Sequence, residues 1–523
     1  MKTLLGRLVW MLEGGASKKQ LVAPSAIGTK RQKLIQGRAQ ANEEQLAIEG
    51  GQVMTATEKV PKSYAEATNS VGQDAWKNVI ASELESLTAN KTWKLAPRPA
   101  HQRPIGCRWV FTLKRDEKGQ VVRHQARLVA KGYSQRRGID YEETYSPAAY
   151  LNSIRAKLAK CCADGMEIEQ CDVDTAFLYG KLEEEIYMEL LDGLRDLLTL
   201  DEAEGEDDVV CLLLQSLYGL KQASRVWNET IAKHLKDMGF RAADADSCIY
   251  TRGDGDGECV VCLYVDDMLI ASREKFIIAS VKAAIAEKFQ IKDLGIARFI
   301  LGIRIDYNME RKTLAISQQA YAAWSSRSSN PGEKHWDAGI KVVRYLLKTK
   351  DVGIVYDVLQ STQLEAYFDA DWTGNRDDRR SVSGMMLMLC CAPAVWCSTF
   401  QKTVALSSTE AECMALSDCV KECVWMRRLL KDLGAEQSEH TVIYEDNQGA
   451  MALAKNICYQ ARAKHIDIRF HFIRETVIGE EVELEYVQSK NLLADFLTKG
   501  LSTKTLRYLM MRANVGPKLE TSN

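Results

Sequence analysis

The sequence predicts an α+β fold, and three observations predict it. Apolar residues recur at helical spacing in "AWKNVIASELESL", residues 75–87. Apolar runs flanking short turn-rich stretches read as paired strands around 107–132 and 259–272. A second α/β pattern runs from "LEAYFDADW" at Leu364 to about Leu509. The 523 residues are 46% hydrophobic, enough for large cores. The formal net charge of -2 gives no global pull toward nucleic acid, so any such contact rests on local patches.

Along the chain, "LLGRLVWML" near Met1 is short and interrupted by Arg7; it suits an arbitrary leader, a weak targeting segment or an amphipathic helix. Residues 13 to 60 are polar and mixed, like a linker. Order is expected from Ser63-Tyr64. "CRWVFTLKRDEKGQVVRHQARLVAKG" reads as a hairpin turning at "DEKG". Between Arg103 and Arg137 stand ten Lys or Arg and two acids, with Trp109 and Tyr133 among them. Such a hairpin is either a solvated face or a phosphate contact. The acidic stretch 201–208, "DEAEGEDD", reads as a solvated loop. The fifteen cysteines form no secreted framework and read as reduced core residues. Cys259 and Cys262 have metal-like spacing but lack a matching second pair, which argues against zinc. No apolar stretch reaches the length of a membrane span.

"CLYVDDMLIAS", residues 262–272, sets two neighbouring aspartates in an apolar run. Burying one unpartnered carboxylate is costly, and two adjacent ones are worse. Strand, tight turn and strand would display Asp266 and Asp267 at a hairpin tip. Either water solvates that tip or a hard cation such as Mg²⁺ sits there. "EQCDVDTAFLYGKL" adds Asp172 and Asp174, which alternation places on one strand face. Asp172 joined to Asp266 would supply the converging carboxylates that two-metal phosphoryl transfer needs.

Five stretches in order, "HQARLVAKGYSQRRGIDYEETYSP", "CDVDTAFLYGKLEEEIYM", "SLYGLKQASRVWNE", "LYVDDMLIAS" and "IKDLGIARFILGIRI", resemble the reverse transcriptase of copia-type LTR retrotransposons over roughly Ser63 to Tyr321. The resemblance implies a palm-and-fingers core with Asp172, Asp266 and Asp267 as catalytic and metal-holding residues. It implies nucleotide contacts at Arg127, Lys131, Tyr218, Gly219 and Lys221, and a bulky Phe177 that excludes a ribose 2′-OH. Phe299, Leu301 and Gly302 fall in the segment resembling the primer-gripping hairpin.

"AYFDADWTG", "ALSSTEAECMALS", "VIYEDNQGAMALA" and "NLLADFLTKG" follow one another in the same way. Their acids sit at the ends of α/β elements, as caps or as a two-metal nuclease site. The region from about Leu364 to Leu509 resembles the RNase H domain of the same elements, an α/β domain with a mixed sheet. Asp369, Glu412, Asp446 and Asp495 carry over as its catalytic and metal-holding acids, with Asp371 and Glu410 as neighbours of lesser weight. His465 and Arg469, in "KHIDIRFHFIRE", are expected to support structure or touch substrate, the structural role favoured.

The resemblance further implies two Mg²⁺ or Mn²⁺ ions per site. Expected partners are an RNA template, a DNA primer, RNA·DNA hybrid, deoxynucleotides and other Pol or Gag products, with no membrane. The expected location is intracellular, in a cytoplasmic particle or the nucleus. The expected divisions are a leader at 1–60, fingers and palm at 61–324, a remnant connection at 325–362, the nuclease-like domain at 363–510 and a tail at 511–523. Between "ISQQAYAAW" and "SSRSSNPGEKHW" the family carries a long segment, much of its thumb, that this chain lacks. Gln125, Ser224 and Cys413 stand where the family has Lys, Pro and Tyr.

Overall fold

The computed structural model describes residues 60–70, 72–115, 120–190, 209–318, 344–357, 362–375, 378–455 and 467–517. The leader, most of the remnant connection, the acidic loop 201–208 and His465 lie outside the described residues. The described residues form two compact units, one within 142–181 and 222–517, the other within 60–141 and 182–221. Among the described residues no helix is long and apolar enough to cross a membrane. None of the fourteen described cysteines forms a disulfide.

The smaller unit contains the expected hairpin, Cys107–Arg115 paired antiparallel with Val121–Ala130. Helix Gln73–Ala89 lies against it and buries Trp76 edge-on to Phe111 and His124. A three-stranded sheet runs in the order Trp93–Pro97, Val209–Gln215, Lys181–Met188.

The larger unit is built on three sheets. The first has six strands, ordered Ile291–Ile296, Glu167–Val173, Asp267–Ser272, Cys259–Tyr264, Ile249–Arg252 and Arg241–Ala242, with antiparallel neighbours. Its central strands are apolar on both faces because both faces are covered. On one side Leu269, Ala271 and Cys262 share a core with Ile154, Leu158 and Ala159 of helix Leu151–Ala163. On the other, Met268, Ile270, Val261 and Leu263 meet Trp227 and Ile231 of helix Ala223–Asp237 and Ile278 and Val281 of helix Lys275–Ala286. Lys157, wholly buried, donates to the Leu269 carbonyl at 2.6 Å and ties the first of these helices to the strand that begins at Asp267.

The second sheet runs Phe299–Ile300, Ile303–Asn308, Thr313–Ser317, Val352–Asp357, Val515–Pro517. Within it, Thr313–Ser317 pairs antiparallel with Val352–Asp357. The third sheet is mixed, in the order Ala392–Phe400, Val382–Leu389, Glu365–Asp371, Thr441–Glu445, Val482–Tyr486. Its first pairings are antiparallel and its last two parallel. Helix Ser408–Asp432 packs on it, opened by a capping box. Ser407 accepts from the Glu410 N–H, and the Glu410 carboxylate reaches back to the Leu406 N–H.

Several contacts hold the larger unit together. Trp425 donates to the Ala245 carbonyl, Asp432 accepts from the Ala245 N–H, and the Arg155 guanidinium lies 3.7 Å over the Trp396 ring. Helix Thr503–Arg512 and strand Val515–Pro517 occupy the start of the expected tail.

Candidate functional sites

The first acidic site grows from strand pairing. Asp267, the first residue of its strand, stands opposite Asp172 in the antiparallel register. Asp266 is in the two-residue turn that joins this strand to Cys259–Tyr264. Three carboxylates from distant sequence are thus gathered at one sheet end, all half-buried. The turn carries a positive φ of 55° on Val265, a conformation that β-branched residues rarely adopt. Two bonds hold it there: Trp227 donates to the Val265 carbonyl at 2.7 Å, and Val173 N–H to the Asp266 carbonyl at 3.0 Å. Gln170, on the same strand face as Asp172, donates to Asp267 at 3.1 Å. Burial raises the Asp267 carboxyl above its ordinary value, Gln170 opposes this, and Asp266 adds to it. Asp174 lies past the strand end, where its N–H bonds the Gln290 carbonyl.

The second site assembles around Asp369, on the central strand of the mixed sheet and 1% exposed. Asp369, Glu412 of the long helix and Asp446 each offer an oxygen within 4.8 Å of the others. Among the described residues no other set of three meets that separation. Glu412 Oε2 is buried without a hydrogen-bond partner. Burial first, then Asp369, Glu445 and Asp446, push Glu412 well above the carboxylate range. Glu445, beside Asp446, is buried too and likewise raised, chiefly by burial.

Asp495 opens the short helix Asp495–Thr498 and does not join that triangle directly. A lysine connects it: Lys499 Nζ lies 2.8 Å from Asp369 Oδ1 and 2.7 Å from Asp495 Oδ1. Thr498 Oγ1 donates to the other Asp369 oxygen. Burial raises Asp495 to about 6 against the pull of Lys499. Burial alone would lower Lys499, but Asp369 and Asp495 outweigh it and hold the ammonium above its ordinary value. The helix approaches this closely because Gly384 faces it. Gly384 pairs across from Asp369, and a Cβ there would lie 2.7 Å from Thr498 and 2.9 Å from Leu497.

The buried, unpartnered oxygen of Glu412 and the hard, all-oxygen donor set fit a divalent cation at Asp369, Glu412 and Asp446. The half-buried Asp172, Asp266 and Asp267, with Asp267 raised, offer the same chemistry.

The remaining expected residues divide between the units. In the smaller one, the Arg127 guanidinium lies 4.7 Å over the Tyr218 ring. Lys131 N–H bonds the Gly106 carbonyl. Gly219, at φ +89°, abuts the Ala130 carbonyl so closely that a Cβ would sit 2.3 Å from it. Lys221 Nζ donates to the Gln135 carbonyl and the Tyr141 hydroxyl, both at 3.1 Å. In the larger unit, Phe177 packs half-buried against the Trp227 core. Leu301 and Gly302, at φ 51° and 76°, make the two-residue turn between Phe299–Ile300 and Ile303–Asn308, with Phe299 and Leu301 exposed. Asp371 ends the Asp369 strand, and Glu410 serves the capping box. Arg469 bonds the Met414 carbonyl and Asp418, a structural role. Sequence reading missed Gln170, Trp227, Gly384, Glu445 and Lys499. Alternation from Asp172 could have flagged Gln170; helical spacing from Asp495 could have flagged Lys499.

Residues 90–327 match the family described as reverse transcriptase (RNA-dependent DNA polymerase). The chain is 34% identical over 516 residues to the Retrovirus-related Pol polyprotein from transposon TNT 1-94 of Nicotiana tabacum, a match covering 86% of this chain and 38% of that protein. It is 33% identical over 496 residues to the Pol polyprotein from transposon RE2 of Arabidopsis thaliana, covering 83% and 34%. A foamy viral protease-reverse transcriptase solved with double-stranded DNA is similar at a TM-score of 0.43 and 10% identity, covering 84% of this chain and 73% of that one. The chain carries a reverse transcriptase family segment. The chain is similar to these retrotransposon Pol polyproteins and spans little more than a third of their length.

Proposed function

We propose that the chain is an RNA-directed DNA polymerase joined to a ribonuclease H. The observation that carries the polymerase reading is the register setting Asp172 opposite Asp267, with Asp266 in the adjoining turn. In this reading a primer 3′ hydroxyl attacks the α-phosphate of a deoxynucleotide and pyrophosphate leaves. Asp172, Asp266 and Asp267 would hold Mg²⁺ or Mn²⁺, and Asp369, Glu412 and Asp446 would hold it at the nuclease site. Bound there, such an ion supplies Lewis-acid stabilisation of charge on phosphoryl oxygens. Arg127 and Lys131 present positive charge from the basic hairpin, and Trp227 and Gln170 fix the turn and the Asp267 carboxylate. The RNA·DNA hybrid would be read by backbone shape and 2′-OH contacts.

A second reading keeps only the nuclease. One observation favours it: of the two sites only the nuclease acids converge within 4.8 Å. Primer extension on an RNA template and cleavage of the RNA strand of a hybrid, both with Mg²⁺, separate the readings. The polymerase reading expects extension that is lost in Asp266→Asn. Cleavage without extension, abolished by Asp446→Asn, would leave the nuclease alone. Neither product would reject both.

A further inference from the structure

We propose that Lys499 is a built-in counter-cation of the nuclease site. Without nucleic acid it fills the gap between Asp369 and Asp495, so the site takes a single divalent ion. This rests on the reading of Asp369, Glu412 and Asp446 as a cation site.

Three observations carry it. The ammonium is within 2.8 Å of one oxygen on each of Asp369 and Asp495, the separation of a charge-assisted hydrogen bond. The lysine is held in place from both sides. Asp495 lies four residues earlier on the same turn, the favourable order for an acid and a lysine. Its chain neighbour Thr498 occupies the second oxygen of Asp369. Finally, the three acids that converge exclude Asp495, the residue Lys499 has engaged.

Formal charge points the same way. Once a bound ion displaces the Glu412 proton, with Glu445 still protonated, Asp369, Glu412, Asp446 and Asp495 against Lys499 leave a surplus of three negative charges. One divalent ion brings the site near balance. A second, with Lys499 still seated, reverses its sign unless a phosphodiester arrives as well. Lys499 is therefore a positioning residue: it keeps Asp369 and Asp495 together at rest and gives them up when nucleic acid brings its own charge.

The test counts bound Mn²⁺ by electron paramagnetic resonance, without nucleic acid. It uses the full chain carrying Asp266→Asn and Asp267→Asn to silence the other triad. One ion is expected with Lys499 present, and none after Asp446→Asn. Lys499→Met is expected to admit a second ion and to tighten the first about tenfold, because a nearby like charge is gone. Lys499→Arg keeps the charge and is expected to bind one. Two ions with Lys499 in place, or one unchanged ion in a folded Lys499→Met, would overturn the proposal. If Lys499→Met does not fold, two ions in Lys499→Arg overturn it and one ion upholds it. An ion count untouched by Asp446→Asn would instead bring down the underlying cation-site reading, and the proposal with it.

Discussion

The two acidic sites solve one electrostatic problem differently. Asp172, Asp266 and Asp267 sit half-buried at a sheet end, and Asp267 leans on a neutral amide, Gln170. Water screens that site. Asp369, Glu412 and Asp495 are buried at 1%, 6% and 7% exposure, with Glu445 buried beside them. Water cannot screen this second site, so it relies on an internal ammonium and on retained protons. Depth, more than the number of acids, decides whether a site must carry its own compensation.

The sharpest way to break the comparison is to remove one acid from each site. Asp446→Asn is expected to reduce RNA cleavage on the order of 10²-fold or more and leave primer extension intact, and Asp266→Asn to do the reverse. Cross-effects of similar size would show that the sites are not independent. Gly384→Ala comes next. Its methyl would meet Thr498 and Leu497, so a loss of about 1–3 kcal/mol is expected in chemical denaturation, with weaker Mn²⁺ binding. A comparable effect is expected from Trp227→Phe, which strands the Val265 carbonyl that accepts its indole N–H. About 1–3 kcal/mol of stability and a fall in primer extension are expected, with RNA cleavage unchanged.

The smallest effect is a titration. Asp495 is raised from 3.8 to about 6, so the folded state binds more protons than the unfolded one between these values. Its contribution to stability is present below pH 3.8 and is lost as pH rises through about 6. Because Lys499 holds Asp495 down, Lys499→Met should move that titration upward, as read by carboxyl NMR shifts. A downward move would contradict the lysine's compensating role.

Much of this was legible in the chain itself. The runs flanking Asp266-Asp267 are apolar throughout because helices cover both sheet faces, and that pattern survives without any alignment. The hairpin at 107–130 and the mixed sheet were legible from alternation and from family resemblance. What escaped was what distant residues impose. The strained φ fell on Val265 rather than on an aspartate, because Trp227, 38 residues away, pins the turn. Lys499 takes its role from Asp369, 130 residues earlier in the chain. The pairing of Thr313–Ser317 with Val352–Asp357 has no local signature at all.

That pairing has a mechanical consequence. One ladder of hydrogen bonds runs from the Phe299–Ile300 hairpin through Val352–Asp357 to Val515–Pro517. A protease site engineered between residues 318 and 352 would nick the backbone without parting the pieces. The two fragments should travel as one species in gel filtration and come apart only in denaturant.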